Sequence, residues 1–194
     1  MPEIRHCLLP AALALLACDS PEPTALDVAP SFSAGQQVVG HVNGEGVVNV
    51  GVPMSFEMTA LLRADGSGSG EAFHNAPLGD LVIEFRTRII CVSIDPVNNR
   101  AWIGGVITEN NSTDPVRNQE RNQVGRDIWW RMVDYGNGQS GTVDRSTFLG
   151  FTGDAGIQTS AEYCAVRPWP GPPTDVVDAR TAPFTSGNVS IQLK

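Results

Sequence analysis

The sequence predicts an all-β domain, an antiparallel β-sandwich or flattened barrel of about seven to nine strands with one long polar loop. Two observations carry this expectation. Apolar residues recur with period two, the spacing that lines one face of a strand, rather than the 3.6 of an amphipathic helix. Short clusters of Gly, Asn and Asp separate the runs, as turns between antiparallel strands require.

The first 35 residues precede that domain. Met1–Ala17 has the parts of a secretory leader: a weakly positive start containing Arg5 and Glu3, then an apolar core from Leu8 interrupted by Pro10. That core is too short to span a bilayer, which takes about 20 apolar residues. It ends Leu15-Leu16-Ala17-Cys18, which resembles a bacterial lipobox in Leu15, Ala17 and Cys18, with Leu16 bulkier than the usual residue. The resemblance implies a diacylglycerol thioether on Cys18 and a membrane-anchored, extracytoplasmic protein of the bacterial envelope. Two or more acyl chains hold a protein stably on a membrane. The plain alternative is an ordinary leader with a chance Cys. Residues 18–35 contain Pro21, Pro23 and Pro30 among small and polar residues and read as a tether. Residues 36–194 are long enough for one domain with a substantial core.

Within the domain, Met54, Phe56, Met58 and Ala60 alternate with Ser55, Glu57 and Thr59. A turn at Asp65-Gly66-Ser67-Gly68 leads to a strand near Glu71–His74. Leu81, Ile83 and Phe85 alternate with Val82, Glu84 and Arg86. From Ile89 to Val92 both faces become apolar, which implies a bulge or entry into a doubly covered stretch. The turn Asp95–Asn99 precedes a strand at Ala101–Thr108, a further run covers Ile128–Tyr135, and Asn188–Leu193 forms the last strand. Two segments break the pattern. Asn110–Arg126 is polar nearly all round and reads as a long surface loop. Arg167–Pro173 is Pro-rich and extended. No internal repeat is present.

Charge and cysteines narrow the setting. The net charge of −8 survives leader removal, because Arg5 and Glu3 leave together. An acidic surface disfavours nucleic acid and anionic headgroups. Of four cysteines, Cys7 leaves with the leader and Cys18 takes the lipid. Outside the cytoplasm the remaining two, Cys91 and Cys164, are expected to pair as a disulfide; two buried free thiols are the alternative.

Cys91-Val92-Ser93-Ile94, followed after a turn by Asn99 and Ala101-Trp102-Ile103-Gly104-Gly105, forms a short core pattern with Ile89 leading it. Val133-Asp134 with Gly136, the turn Asp65-Gly66 with Gly70, and the closing Gly187-Asn188-Val189 with Ile191 extend it. Together these residues resemble small uncharacterised exported bacterial β-sandwich proteins across most of Val38–Leu193. The resemblance implies the fold and an exported location, and no activity. The Asn110–Arg126 segment departs from the usual compact pattern.

Known chemical constellations are sparse. Gly136–Gly141 formally matches G-x-G-x-x-G, but no helix or βαβ unit follows to present amides to a phosphate. Only His41 and His74 follow the leader, without His or Cys at ligand spacing, so no transition-metal site is expected. Asp134, Asn137, Gln139 and Asp144 share one Gly-rich loop and offer hard oxygens to calcium, but their spacing is not that of an EF-hand and a solvated Asx-rich turn is the plainer reading. No Gly-x-Ser-x-Gly elbow occurs, and no cofactor is implied. Trp129 and Trp130 are adjacent, so on a strand they point to opposite faces. An exposed one could stack on a sugar, with Arg126, Asp127 and Arg131 as hydrogen-bond partners; otherwise one fills the core and the other packs beneath a connection. Trp102 reads as core and Trp169 as a clasp. The resulting expectation is a non-enzymatic, lipid-anchored scaffold or interaction module that engages an envelope protein or glycan. A carbohydrate-binding module using Trp129 or Trp130, and a hydrolase with an unseen site, are the alternatives.

Overall fold

The structure, a computed structural model, describes residues 36–136, 142–168 and 181–194. The expected leader, Cys18, the tether and Trp169 lie outside the described residues. The described chain forms nine strands: β1 (Val38–Asn49), β2 (Pro53–Arg63), β3 (Gly68–Leu78), β4 (Leu81–Asp95), β5 (Arg100–Asn110), β6 (Asp127–Val133), β7 (Arg145–Thr147), β8 (Gly150–Phe151) and β9 (Thr181–Leu193). One α-helix, α1, covers Ser160–Val166.

β1 to β7 pair with their sequence neighbours, all antiparallel, and β9 lies between β7 and β1. The β5–β6 pairing then closes the sheet on itself. The result is an eight-stranded barrel with β8 as a short ninth strand beside β6. Of the two expected architectures, the barrel is the one adopted. Closure pairs the backbone around the whole sheet and removes the exposed edges of an open one.

Alternation along the strands sets the inside and outside. On β2, Met54, Phe56, Met58 and Ala60 are buried while Glu57 and Thr59 are exposed. The largest fully buried side chains, Trp130, Phe85 and Phe151, fill the core with Phe56 and Phe184. Phe85 meets Phe151 at 5.4 Å and Phe56 meets Phe184 at 5.0 Å between ring centroids. Aromatic pairs at such separations favour these tilted arrangements.

Both readings of Ile89–Val92 apply. The β4–β5 register shifts between Ile89 and Cys91, and every residue from Cys91 to Ile94 is buried. The outer face there is covered by α1, a helix that strand periodicity does not reveal. Its local signal is Thr159 followed three residues later by Glu162. The Thr159 hydroxyl accepts the Glu162 amide (3.1 Å), and the Glu162 carboxylate reaches back to the Gln158 amide (2.8 Å). This closely resembles a capping box, shifted by one residue at its return contact.

The expected Cys91–Cys164 disulfide joins α1 to β4, with the Cα atoms 6.2 Å apart. Gly104 makes the close approach possible. A Cβ there would sit 2.7 Å from the Cys91 sulfur and 2.7 Å from the Ser160 Cβ. The Ser160 amide donates to Asp127 Oδ1 (2.7 Å), and its hydroxyl donates to the Gly105 carbonyl (2.8 Å).

Asn110–Arg126 is a loop, as expected, with one 3-10 turn at Glu120–Asn122. It is fixed to the start of β4. The Asn111 and Thr113 amides donate to the Glu84 and Val82 carbonyls (3.1 and 2.9 Å), while Thr113 and Ser112 hydroxyls accept the Val82 and Glu84 amides (2.9 Å each). β9 begins at Thr181, earlier than expected. Its first half includes Pro183 and a register shift opposite Val47–Val48, so no clean alternation marks it.

Candidate functional site

Trp129 and Trp130 do point to opposite faces of β6, and both are buried, at 4% and 1% exposure. Trp130 fills the barrel interior and meets the His74 ring edge-on at 4.7 Å. Trp129 lies outside the sheet in a second cluster with Trp102, Ile157 and Tyr163, stacked on Tyr163 at 5.6 Å. The exposed stacking platform is therefore corrected: neither indole face is open to a sugar. The cover comes from α1 and the chain after β7. Gly150 belongs to that cover, since a Cβ there would collide with the Trp129 indole at 2.3 Å.

Arg131 is likewise buried. Its guanidinium donates to the Pro168 carbonyl and hydrogen-bonds the Tyr163 side chain. Burial pushes the Tyr163 hydroxyl pKa well above its ordinary value, and the charge and hydrogen bond of Arg131 oppose that rise. These groups hold α1 on the barrel. Asp127 binds the Ser160 amide (2.7 Å), and Arg126 pairs with Glu120 (2.7 Å).

Asn137 and Gln139 of the calcium option lie outside the described residues. The two acidic members already serve the backbone. Asp134 accepts the Gly136 and Ile191 amides (2.7 and 3.0 Å); Asp144 accepts those of Tyr135 and Val189 (2.8 Å each). They fasten the β6–β7 connection to β9. Among the described residues no cluster of three or more His, Cys, Asp or Glu could hold a metal ion.

The barrel interior has a polar feature that periodicity hides. His74 Nδ1, Thr87 Oγ1 and Trp130 Nε1 are buried without a hydrogen-bond partner among the described residues. Burial lowers the His74 pKa from 6.5 to about 3, so the ring is neutral at physiological pH. His74 is buried on the inner face of β3 with Ala72 and Ala76. Only its packing against Trp130, three strands away, fixes its environment.

The open feature of the barrel is one of its mouths. Val50 and Val52 at the β1–β2 turn, Ile83 on β4, and Phe148 after β7 surround a cavity of about 300 Å3 floored by Phe85 and Phe151. Arg117, on the long loop, is the charged residue of its lining; the guanidinium lies 5.5 Å from the Phe151 ring centroid. Barrel mouths are a recurrent place for small-molecule sites, which span roughly 300–1,000 Å3 and are mostly apolar with a few polar groups. β1 begins and β9 ends at the opposite mouth, where Gly40 pairs with Leu193.

A larger furrow of about 710 Å3 crosses the outer face of β2 to β5. Its aromatic, Phe73, is covered by the Arg86 guanidinium at 4.8 Å, and Arg86 also pairs with Glu109 at 3.4 Å. The ring face and two of the charges are thus engaged with one another, and Glu57, Glu71 and Arg88 make the rest of the lining strongly charged, which leaves the mostly apolar mouth as the better candidate. No helix among the described residues is long and apolar enough to cross a membrane. No protein-family model, curated protein or solved structure matches this chain.

Proposed function

We propose that the protein is a non-enzymatic binding module, exported and tethered to the envelope through lipid on Cys18, whose barrel mouth takes up a small apolar molecule. The mouth cavity carries this reading. Val50, Val52 and Ile83 are partly exposed there, while Phe85 and Phe151 are buried beneath them. Filling the cavity would remove apolar surface from water, worth about 25 cal/mol per Å2. A disulfide-stapled domain and the leader features of residues 1–18 support the exported location. An interaction role toward an envelope component is retained, with the mouth as the contact in place of the tryptophan pair.

The test is saturable binding of Nile red, an uncharged dye that brightens in apolar surroundings. The wild-type domain should bind one dye, and Val52→Glu, at the rim, should weaken binding at least about tenfold by placing a charge beside the apolar walls. Absence of saturable binding would overturn the reading of the mouth. For the anchor, intact mass of the protein from a membrane fraction should match a chain beginning at Cys18 with diacylglycerol. An unmodified Cys18 in that fraction would remove the anchor.

A further inference from the structure

We infer that the molecule taken up at the mouth is a single-chain amphiphile with an anionic head, and that Arg117 receives that head. This deepens the proposed function and rests on it. Four observations point the same way. The cavity lining is apolar apart from Arg117 and includes no acidic residue, although the chain as a whole carries −8. A lone cation kept against apolar walls is the reverse of what the overall charge would place there.

Second, the other loop cations are neutralised: Arg121 pairs with Asp154 (2.8 Å) and Arg126 with Glu120 (2.7 Å). Arg117 has no ion pair among the described residues. Third, its backbone is fixed. The Arg117 amide donates to the Asp114 carbonyl and carboxylate (3.0 and 3.2 Å), and its carbonyl accepts Asn110 Nδ2 (3.0 Å). The Asp114 carboxylate is occupied on the backbone side. Fixing the backbone reduces the ordering cost of presenting the guanidinium. Fourth, the guanidinium lies over Phe151, on the cavity floor. A head bound by Arg117 would thus leave its chain directly above Phe85 and Phe151.

The guanidinium fork suits a carboxylate or sulfate, which it can engage with two parallel charge-assisted hydrogen bonds. The volume, at the small end for ligand sites, fits one short chain in preference to a two-chain lipid.

The experiment displaces Nile red from the full chain with three twelve-carbon probes below their micelle concentrations: dodecanoate, dodecyltrimethylammonium and dodecanol. Dodecanoate should bind most tightly. Arg117→Gln should weaken dodecanoate roughly tenfold to a hundredfold while changing dodecanol less than about twofold. Arg117→Lys should restore part of the loss, since a point charge replaces the fork. If dodecanoate and dodecanol bind alike, or Arg117→Gln leaves the dodecanoate preference intact, the anionic head is wrong and an uncharged apolar ligand remains. If Nile red binds but none of the probes displaces it, the single-chain amphiphile is wrong. If the dye itself never binds saturably, the mouth reading fails along with this inference.

Discussion

The walls β1–β3 and β4–β6 share one antiparallel ladder but face different surroundings outside. On β2 the outward residues Glu57 and Thr59 meet water, and a single core lies behind them. On β6 nearly every residue is buried, because the barrel core lies on one side and α1 with its cluster on the other. The neighbours Trp129 and Trp130 consequently serve two cores. A strand with one buried face can be read from alternation alone. A strand with two needs knowledge of its second cover, and here that cover is a seven-residue helix stapled by a disulfide.

The division into two cores is tested most strongly by truncating each tryptophan. Trp130→Ala should cost about 3–5 kcal/mol, as expected for a large aromatic removed from a closed interior. Trp129→Ala should cost less. It borders a gap of about 60 Å3, and a short helix can settle where a closed barrel cannot. Urea denaturation followed by circular dichroism gives both numbers. Equal losses would mean that the outer cluster is as rigidly confined as the interior.

Reduction of Cys91–Cys164 comes next. The bond spans a sequence separation of 73, and losing such a crosslink typically costs about 2–4 kcal/mol. Its effect should also be local. Hydrogen exchange in dithiothreitol should rise first in α1 and spare the β1–β2 pairing. A uniform rise around the barrel would show that α1 and the closed sheet open as one unit.

The same contrast explains how much was legible beforehand. β2 and the first half of β4 announced themselves through period two, and the turns at Asp65 and Asp95 through their Asx chemistry: their carboxylates accept the Ser67, Val97 and Asn98 amides (2.9, 3.1 and 3.3 Å). The cysteine pair followed from counting. The helix is not legible from periodicity because seven residues are too few to show a period, although Thr159 and Glu162 carry a capping signal. The mouth was not legible at all. It gathers Val50, Ile83, Arg117 and Phe151 from four separate segments, and only barrel closure brings them together.

His74, on the inner face of β3, tests the barrel interior by pH. Unfolded, its ring takes a proton near its ordinary 6.5; folded, only near 3. Between those values the unfolded chain binds more protons, so the folded state loses stability as pH falls, by about 1.4 kcal/mol per unit. Above 6.5 the contribution vanishes. At pH 5 the loss relative to neutrality should reach about 2 kcal/mol, and His74→Leu should remove it. Thermal melts of both proteins from pH 7 to 5 give the comparison. Parallel acid sensitivity in the two would place the proton uptake elsewhere.

The smallest effect is expected where the outer face of the sheet meets water. Arg86 and Glu109 form an ion pair at 3.4 Å with their side chains 55% and 54% exposed, and exposed pairs contribute about 0–1 kcal/mol because water and salt screen them. Stacking on Phe73 at 4.8 Å adds about 0.5–1 kcal/mol at an exposed site. Arg86→Ala should therefore cost roughly 1 kcal/mol, and 1 M NaCl should remove most of the ion-pair share. Arg131, held by Pro168 and Tyr163 beneath α1, sits in the opposite regime: removing it leaves the buried Tyr163 hydroxyl without its partner, which costs about 1–3 kcal/mol. Measuring both arginines in low and high salt distinguishes the water-facing outer surface from the covered one by mechanism as well as magnitude. A large, salt-insensitive loss at Arg86 would mean that the furrow around Phe73 is built as firmly as the covered side, and would reopen it as a binding surface.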